Sequence, residues 1–215
     1  MQFNGWVSII IPLPYLFFID NCCVDNVCWD KLKQIPTNTL SIHGLWPSNT
    51  TGVYLPNCNE GVEIPITHKG DELYNNLTTY WASSKASDEN FWTHEFNKHG
   101  YCYTAKVGVD DPDVYFNYTL QKYHELGFPD LFNRMFHYPK ETEIQIPHGE
   151  FIRVIEAMYP GARYKLLCRE DTSTGKRYLT EIYFYYDLEF KFIDVVFTPD
   201  DRCGSKEDLI SFLFF

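Results

Sequence analysis

The spacing of apolar residues changes in the last third of this chain, and this change constrains the fold more than any other feature. Between residues 71 and 81, Leu73, Leu77, Tyr80 and Trp81 recur at three- and four-residue spacing, which is the period of an amphipathic helix. This period and the capping residues predict four helices, at Asp71–Trp81, Asp88–Gly100, Asp111–Gly127 and Gly149–Tyr159. The residues that follow predict three strands joined by short turns, at Ala162–Arg169, Tyr178–Asp187 and Phe190–Thr198. Helices clustered before an antiparallel meander indicate an α+β fold, with a central antiparallel sheet and several helices packed on it.

The length of the chain, 215 residues, suits one domain with a substantial core. No repeat, low-complexity tract or long linker divides it, which predicts a single domain over residues 22–215. Val7–Ile19 is apolar enough for the core of a signal peptide, but Pro12 and Pro14 interrupt it and no Lys or Arg precedes it. Residues 1–21 are therefore interpreted either as a weak signal peptide or as a divergent first strand, and we expect no membrane-spanning segment.

The chain is acidic, with 18 Lys and Arg against 29 Asp and Glu and a formal net charge of −11. Proteins that coat or slide along nucleic acids are usually basic, because contacts with phosphates supply their non-specific affinity. Net charge does not decide what a single site binds. The composition therefore excludes a general nucleic-acid-coating protein but not an enzyme that holds a few nucleotides briefly.

Cysteines and glycosylation sequons indicate an oxidising, secretory environment. The chain has seven cysteines and three Asn-x-Thr sequons, which begin at Asn49, Asn76 and Asn117. Because the number of cysteines is odd, at least one thiol is free or pairs outside the chain. We expect a protein that is secreted or reaches a vacuole through the secretory pathway.

Two segments concentrate ionisable residues. His43 lies in the segment SIHGLWPS, on a strand predicted at Thr39–Trp46. The segment FWTHEFNKHGYC, on the second predicted helix, carries four more: His94, Glu95, Lys98 and His99. At ~100° per residue these four positions fall within an arc of roughly 140°, so they share one helical face. Packing such groups together costs desolvation free energy, which makes this face a candidate catalytic site.

A zinc protease is the alternative interpretation of this helix, because His94-Glu95 followed by another histidine is similar to the helical zinc motif. That motif needs histidines four residues apart. Here the second histidine is His99, five residues on, and Lys98 is a poor neighbour for a divalent cation. We therefore expect no metal site and no cofactor.

Two histidines, a carboxylate and a lysine suit cleavage of a phosphodiester through the 2′-hydroxyl group of RNA. A neutral imidazole removes the 2′-hydroxyl proton and an imidazolium protonates the leaving 5′ oxygen, each contributing a factor of ~10²–10⁴ to the rate. A cation stabilises the charge that develops on the five-coordinate phosphorus. The ordinary pKa of histidine, about 6.5, makes both protonation states available at mildly acidic pH.

The two segments together resemble the two active-site motifs of the ribonuclease T2 family, in the same order and about fifty residues apart. Within that family the likeness is closer to plant self-incompatibility ribonucleases and their relatives. It extends in weaker form from Cys23 to Cys203.

The resemblance implies a role for each residue of the two motifs. His99 corresponds to the general base and His43 to the general acid. The implied roles of the others are stabilisation of the transition state by Lys98 and Glu95, positioning of the phosphate by His94, and base binding near Trp46 and Phe91. Stacking on such rings contributes ~1–3 kcal/mol per base.

The resemblance also implies a disulfide framework, with the pairs Cys58–Cys102, Cys168–Cys203 and Cys23–Cys28. Cys22 is then left over, although it could replace Cys23. Plant members usually carry another bridge across the last two strands, where this chain has Tyr185 and Val195. Both partners are missing together, as expected of a folded protein.

The chain departs from the family pattern at a few positions, and Phe96 in place of a frequent tryptophan is a mild change. At base-binding positions, residues 1–21 lack the Gln-Trp-Pro stretch of the family's first strand and Ser48 replaces a frequent aspartate. These departures predict one altered base pocket and a weaker base preference, but they leave the acid–base pair intact. The acidity of the chain favours a general nuclease over pollen recognition, since self-incompatibility ribonucleases tend to be basic.

We therefore expect a monomeric, secreted endoribonuclease that cleaves single-stranded RNA without metal, giving 2′,3′-cyclic phosphates and then 3′-phosphates. The alternative is a catalytically weakened member that binds RNA or a protein partner, as in self-incompatibility recognition. The altered N-terminal segment favours this alternative, and the complete set of active-site residues argues against it.

Overall fold

Helices fill the middle of the chain and strands dominate its last third, which confirms the predicted α+β fold. A computed structural model describes residues 7–8, 40–47, 70–83, 87–108, 111–136, 143–186 and 202–213. In chain order the elements are β1 (Val7–Ser8), β2 (Gly44–Leu45), α1 (Glu72–Tyr80), α2 (Asp88–Glu95), a π-helical turn (Phe96–Gly100), α3 (Tyr101–Val107), α4 (Pro112–Glu125), a 3₁₀ turn (Phe128–Asp130), α5 (Leu131–Phe136), β3 (Glu143–Pro147), α6 (His148–Met158), β4 (Arg163–Glu170), β5 (Arg177–Tyr185) and β6 (Leu209–Leu213).

The main sheet has the strand order β3-β6-β5-β4. β4 and β5 form the predicted antiparallel hairpin, whereas the third predicted strand, Phe190–Thr198, lies outside the described residues. The sequence pattern did not predict β3 or β6. β6 pairs antiparallel with β3 but parallel with β5, so the sheet is mixed at this pair rather than antiparallel throughout.

A second, two-stranded sheet holds the candidate site segment. β1 pairs antiparallel with β2, which is shorter than the predicted strand Thr39–Trp46. The rest of residues 1–21 lies outside the described residues, and the division of the chain after residue 21 stays a prediction.

Aromatic side chains pack the helices against the main sheet. Phe151 of α6 is fully buried and lies 5.0 Å from Phe212 of β6, between ring centroids. Phe128, in the 3₁₀ turn, lies 4.9 Å from Phe184 of β5. Rings of this size bury much apolar area per residue, and Phe, Trp and Tyr make up 18% of the chain.

The helix that carries four of the predicted site residues runs further than predicted. Gly100 was expected to end it, but Gly100 has a helical φ of −64°, and the helix ends at Gly108, where φ is 74°. A Cβ atom at position 100 would lie 2.6 Å from Phe96 Cδ2 and 2.9 Å from Tyr115 Cδ1. Gly100 therefore allows close packing against α4 instead of ending the helix.

The predicted disulfide Cys168–Cys203 is confirmed, and it joins β4 to the residues before β6. Cys102 is also disulfide-bonded. Its predicted partner Cys58 lies outside the described residues, as do Cys22, Cys23, Cys28 and Val195.

Candidate active site

Buried aromatic side chains fix the backbone of the segment that carries His43. The indole N–H of Trp81, directly after α1, donates to the carbonyl oxygen of His43 at 2.8 Å. The hydroxyl of Tyr115, on α4, accepts from the Leu45 N–H at 3.1 Å and donates to the Leu45 carbonyl at 3.2 Å. Trp81 and Tyr115 are fully buried, so water does not compete for these bonds. The core thereby sets the position of the early strand.

Gly44 lets this strand approach the catalytic helix closely. A Cβ atom at position 44 would lie 2.5 Å from Glu95 Oε2 and 2.5 Å from Trp46 Nε1, which only glycine avoids. No role was predicted for Gly44. The signal was a glycine inside a predicted strand, which often marks close approach of another group.

Glu95 joins the two predicted segments. Its side chain is 1% exposed, and its Oε1 lies 3.3 Å from His43 Nε2. Its Oε2 accepts a hydrogen bond from the indole N–H of Trp46 at 2.7 Å. His94, on the same helix, places Nε2 4.0 Å from Oε1. One buried carboxylate therefore contacts side chains from both segments.

Trp46 lies between the two histidines proposed as the acid–base pair. The His43 ring meets the indole edge-on, with 5.0 Å between centroids and 77° between planes. The His99 ring stacks on it, with 4.4 Å between centroids and 19° between planes. The Nζ atom of Lys98 lies 5.8 Å from the centroid of the indole. The structure thus brings together all five ionisable residues singled out in the sequence.

The helix widens where it carries His99. The N–H of Tyr101 donates to the carbonyl of Phe96, five residues earlier, which closes a π-helical turn. Such turns are rare and are frequent at functional sites. The predicted arrangement on one regular helical face is therefore only approximate: His94 is 61% exposed, whereas His99 is 1% exposed.

Burial and neighbouring charges give His99 and Glu95 different protonation states. Burial lowers the pKa of His99 to about 4, although the Glu95 charge partly offsets it. Burial alone would raise the pKa of Glu95, but the hydrogen bond and charge of His43, the charge of His99 and the bond from Trp46 hold it below its usual value. At mildly acidic pH the site therefore contains a neutral imidazole at His99 and a carboxylate at Glu95.

Among the described residues, two half-buried rings also lie beside the site. Phe91 of α2 lies 5.6 Å from His43, and Tyr183 of β5 lies 6.3 Å from Trp46, between ring centroids. Tyr183 was not predicted, because its position in an alternating strand pattern is like that of its neighbours.

The site therefore groups the imidazoles of His43 and His99 with the carboxylate of Glu95 and the ammonium group of Lys98. Such a set of groups can move protons on both sides of a phosphate.

Within the described residues, no group of three or more His, Cys, Asp or Glu side chains is placed to hold a metal ion. Among the helices of those same ranges, none has the length and apolar character needed to cross a bilayer.

Fold and site together define a disulfide-bonded α+β protein with two histidines grouped around a buried carboxylate. The ribonuclease T2 family model matches residues 13–203. The chain belongs to this family, which confirms the resemblance seen in the two motifs.

Individual relatives agree with this assignment. Ribonuclease Rh from Rhizopus niveus is 38% identical over 46% of this chain and 45% of that protein. Ribonuclease T2 from Aspergillus oryzae is 28% identical over 86% of this chain and 73% of that protein. The self-incompatibility associated SF11-RNase of Nicotiana alata shares the fold, with a TM-score of 0.70, 20% identity and coverage of 96% and 97%. The chain spans about half the length of several of the curated relatives that it matches.

Proposed function

We propose that the protein is an endoribonuclease that cleaves single-stranded RNA through the 2′-hydroxyl group, by acid–base catalysis without a metal ion. The grouping of His43 and His99 around Trp46 and Glu95 carries this proposal. Membership of the ribonuclease T2 family supports the same activity.

In the first step His99 acts as the general base and His43 as the general acid. Because its pKa is lowered to about 4, His99 is neutral and accepts the 2′-hydroxyl proton. The 2′ oxygen bonds to phosphorus, the bond from phosphorus to the 5′ oxygen breaks, and His43 donates a proton to that oxygen. The products are a 2′,3′-cyclic phosphate and a free 5′-hydroxyl. Water then attacks the cyclic phosphate with the two roles exchanged, which gives a 3′-phosphate.

The other residues of the two motifs support this proton transfer. Lys98 lies beside Trp46 and the exposed ring of His94 lies beside Glu95, and we assign both the role of donating to the non-bridging oxygens of the phosphate, where charge develops. Glu95 holds the ring of His43 at 3.3 Å. Phe91 and Trp46 offer aromatic surface to the flanking bases.

RNA cleavage in excess chelator tests the proposal. His43→Ala and His99→Ala are each expected to lower kcat/KM by a factor of ~10²–10⁴, whereas chelator leaves the parent unchanged. His124→Ala is the matched control, because this histidine is exposed on α4 and belongs to neither motif. Parental activity in either active-site variant would rule out the mechanism.

A binding protein with little turnover is the competing function, and no observation on the described residues favours it. A dinucleotide that binds saturably to the parent but is never cleaved would support it.

We also propose that the protein passes through the secretory pathway to the cell exterior or a vacuole. It is proposed to be a monomer that is glycosylated at Asn49, Asn76 and Asn117. The Cys168–Cys203 disulfide and the exposed side chain of Asn117 support this route. Thr119 of the third sequon is buried and donates to the Tyr115 carbonyl at 2.8 Å, so a glycan there must be attached before α4 packs. A loss of mass on glycosidase treatment of the secreted protein, and a monomer mass in light scattering, are the expected results.

A further inference from the structure

The indole of Trp46 contacts two of the proposed catalytic groups directly. Its N–H donates to Glu95 Oε2 at 2.7 Å. One of its faces stacks on His99, with 4.4 Å between centroids. Its polar edge and one face are therefore occupied by the protein itself, which leaves at most the other face for a base.

The hydrogen bond to Glu95 lies where water does not readily replace it. Glu95 is 1% exposed, and its other oxygen faces His43 at 3.3 Å. Burial raises the pKa of Glu95, and the interactions with His43, His99 and Trp46 together bring it below its usual value. Without the indole N–H, the carboxylate loses a donor in a dry environment and is less firmly held against His43.

The stack on His99 covers one face of the imidazole and keeps water from it. An aromatic face attracts a cation, so the stack alone would favour the imidazolium form. Burial is the main cause that lowers the pKa of His99 to about 4, and the charge of Glu95 partly offsets it. The result is a neutral imidazole in a fixed orientation, which is the form that a general base requires.

We propose that Trp46 is a positioning residue, which orients the acid–base pair through its hydrogen bond to Glu95 and its stack on His99. This inference rests on the proposed function and goes beyond the base-stacking role that the family resemblance gives this ring. A base platform acts mainly on substrate binding, whereas a positioning residue acts on kcat.

Trp46→Phe separates the two roles, because phenylalanine keeps an aromatic face and removes the N–H. We expect kcat to fall about 10- to 100-fold, the value of a charge-assisted hydrogen bond, while KM stays within about threefold. The acid limb of the kcat/KM profile moves to higher pH, because Glu95 is protonated more easily. In a Glu95→Ala background the same substitution lowers kcat by less than about threefold, since the N–H has no carboxylate to bind.

Phe91→Leu is the matched control, because Phe91 contacts His43 but has no indole N–H to donate to Glu95. Its effect on kcat/KM should be the same in both backgrounds. An equal effect of Trp46→Phe in both backgrounds, on KM with kcat unchanged, would overturn the proposal.

The indole N–H resonance of Trp46 in the parent tests the contact without any activity. We expect it to move as Glu95 titrates in acid and to shift in Glu95→Gln. A resonance that responds neither to acid nor to Glu95→Gln contradicts the inference, even if Trp46→Phe does not fold. If the resonance responds but RNA cleavage survives His43→Ala and His99→Ala, the proposed function fails while the contact stands.

Discussion

At the scale of single residues, His99 is almost completely buried against Trp46, in the π-helical turn that follows α2. Burial lowers its pKa from 6.5 to about 4. The folded protein therefore binds fewer protons than the unfolded chain between these two values. By linkage, the free energy of unfolding falls as the pH drops through this range, because the buried imidazole resists protonation. Above this range His99 causes no such loss.

This linkage predicts a pH-dependent contribution to stability that belongs to His99. Between about pH 6.5 and about pH 4.5, we expect the free energy of unfolding of the parent to fall by about 2 kcal/mol more than that of His99→Asn. Urea unfolding at both pH values measures the difference. Partial burial of the His124 ring lowers its pKa in the same direction, but His124 is present in both proteins and cancels. Parallel pH dependences in the two proteins would show that His99 is not desolvated.

At the scale of elements, the helix from α2 through α3 shows what local sequence patterns can and cannot predict. Its start follows from the capping-type acid Asp88, and the site residues that it carries follow from the sequence motif. Its π-helical turn and its true end do not, because Gly100 was interpreted as a C-terminal cap. The role of Gly100 depends on the side chains of Phe96 and of Tyr115 on another helix. The close approach of these side chains to Gly100 has no signature in the local sequence.

Gly100→Ala tests this interpretation, because helix propensity and packing predict opposite signs. Alanine in a helix interior is more stable than glycine by about 0.5–1 kcal/mol. Here the new Cβ would lie 2.6 Å from Phe96 and 2.9 Å from Tyr115, both buried rings with little room to move. Overpacking of this kind costs about 1–3 kcal/mol, so we expect a net loss of stability. Chemical denaturation measures it, and the loss should shrink in a Phe96→Leu background. A stabilised Gly100→Ala protein would mean that the glycine is only a weak helix former.

At the scale of the whole molecule, the site depends on long-range contacts that the sequence does not reveal. The motifs identified His43 and His99 as a pair, and the apolar pattern identified the fold class. The bonds from Trp81 and Tyr115 that hold the early strand span tens of residues. No local pattern distinguishes these rings from the other buried aromatics.

The short strands β3 and β6 were missed for a related reason. Each has five residues, and their pairing joins positions such as Gln145 and Ser211, far apart in the chain. A strand of this length is specified by its partners rather than by its own alternation. Among the described strands, the predicted meander accounts for β4 and β5, whereas β6 depends on its pairing with distant residues.

The Cys168–Cys203 disulfide anchors the residues that lead into β6, and its removal should be costly for the whole fold. It closes a loop with a sequence separation of 35, for which the chain-entropy estimate is about 4 kcal/mol. We expect the double variant Cys168→Ala, Cys203→Ala to lose about 2–4 kcal/mol in free energy of unfolding. The folded fraction should still cleave RNA at low temperature, because neither cysteine belongs to the acid–base site. Substitution is preferable to a reducing agent, since reduction would also break the bond at Cys102. A loss below about 1 kcal/mol would mean that the unfolded chain is already compact enough to bring these two positions together.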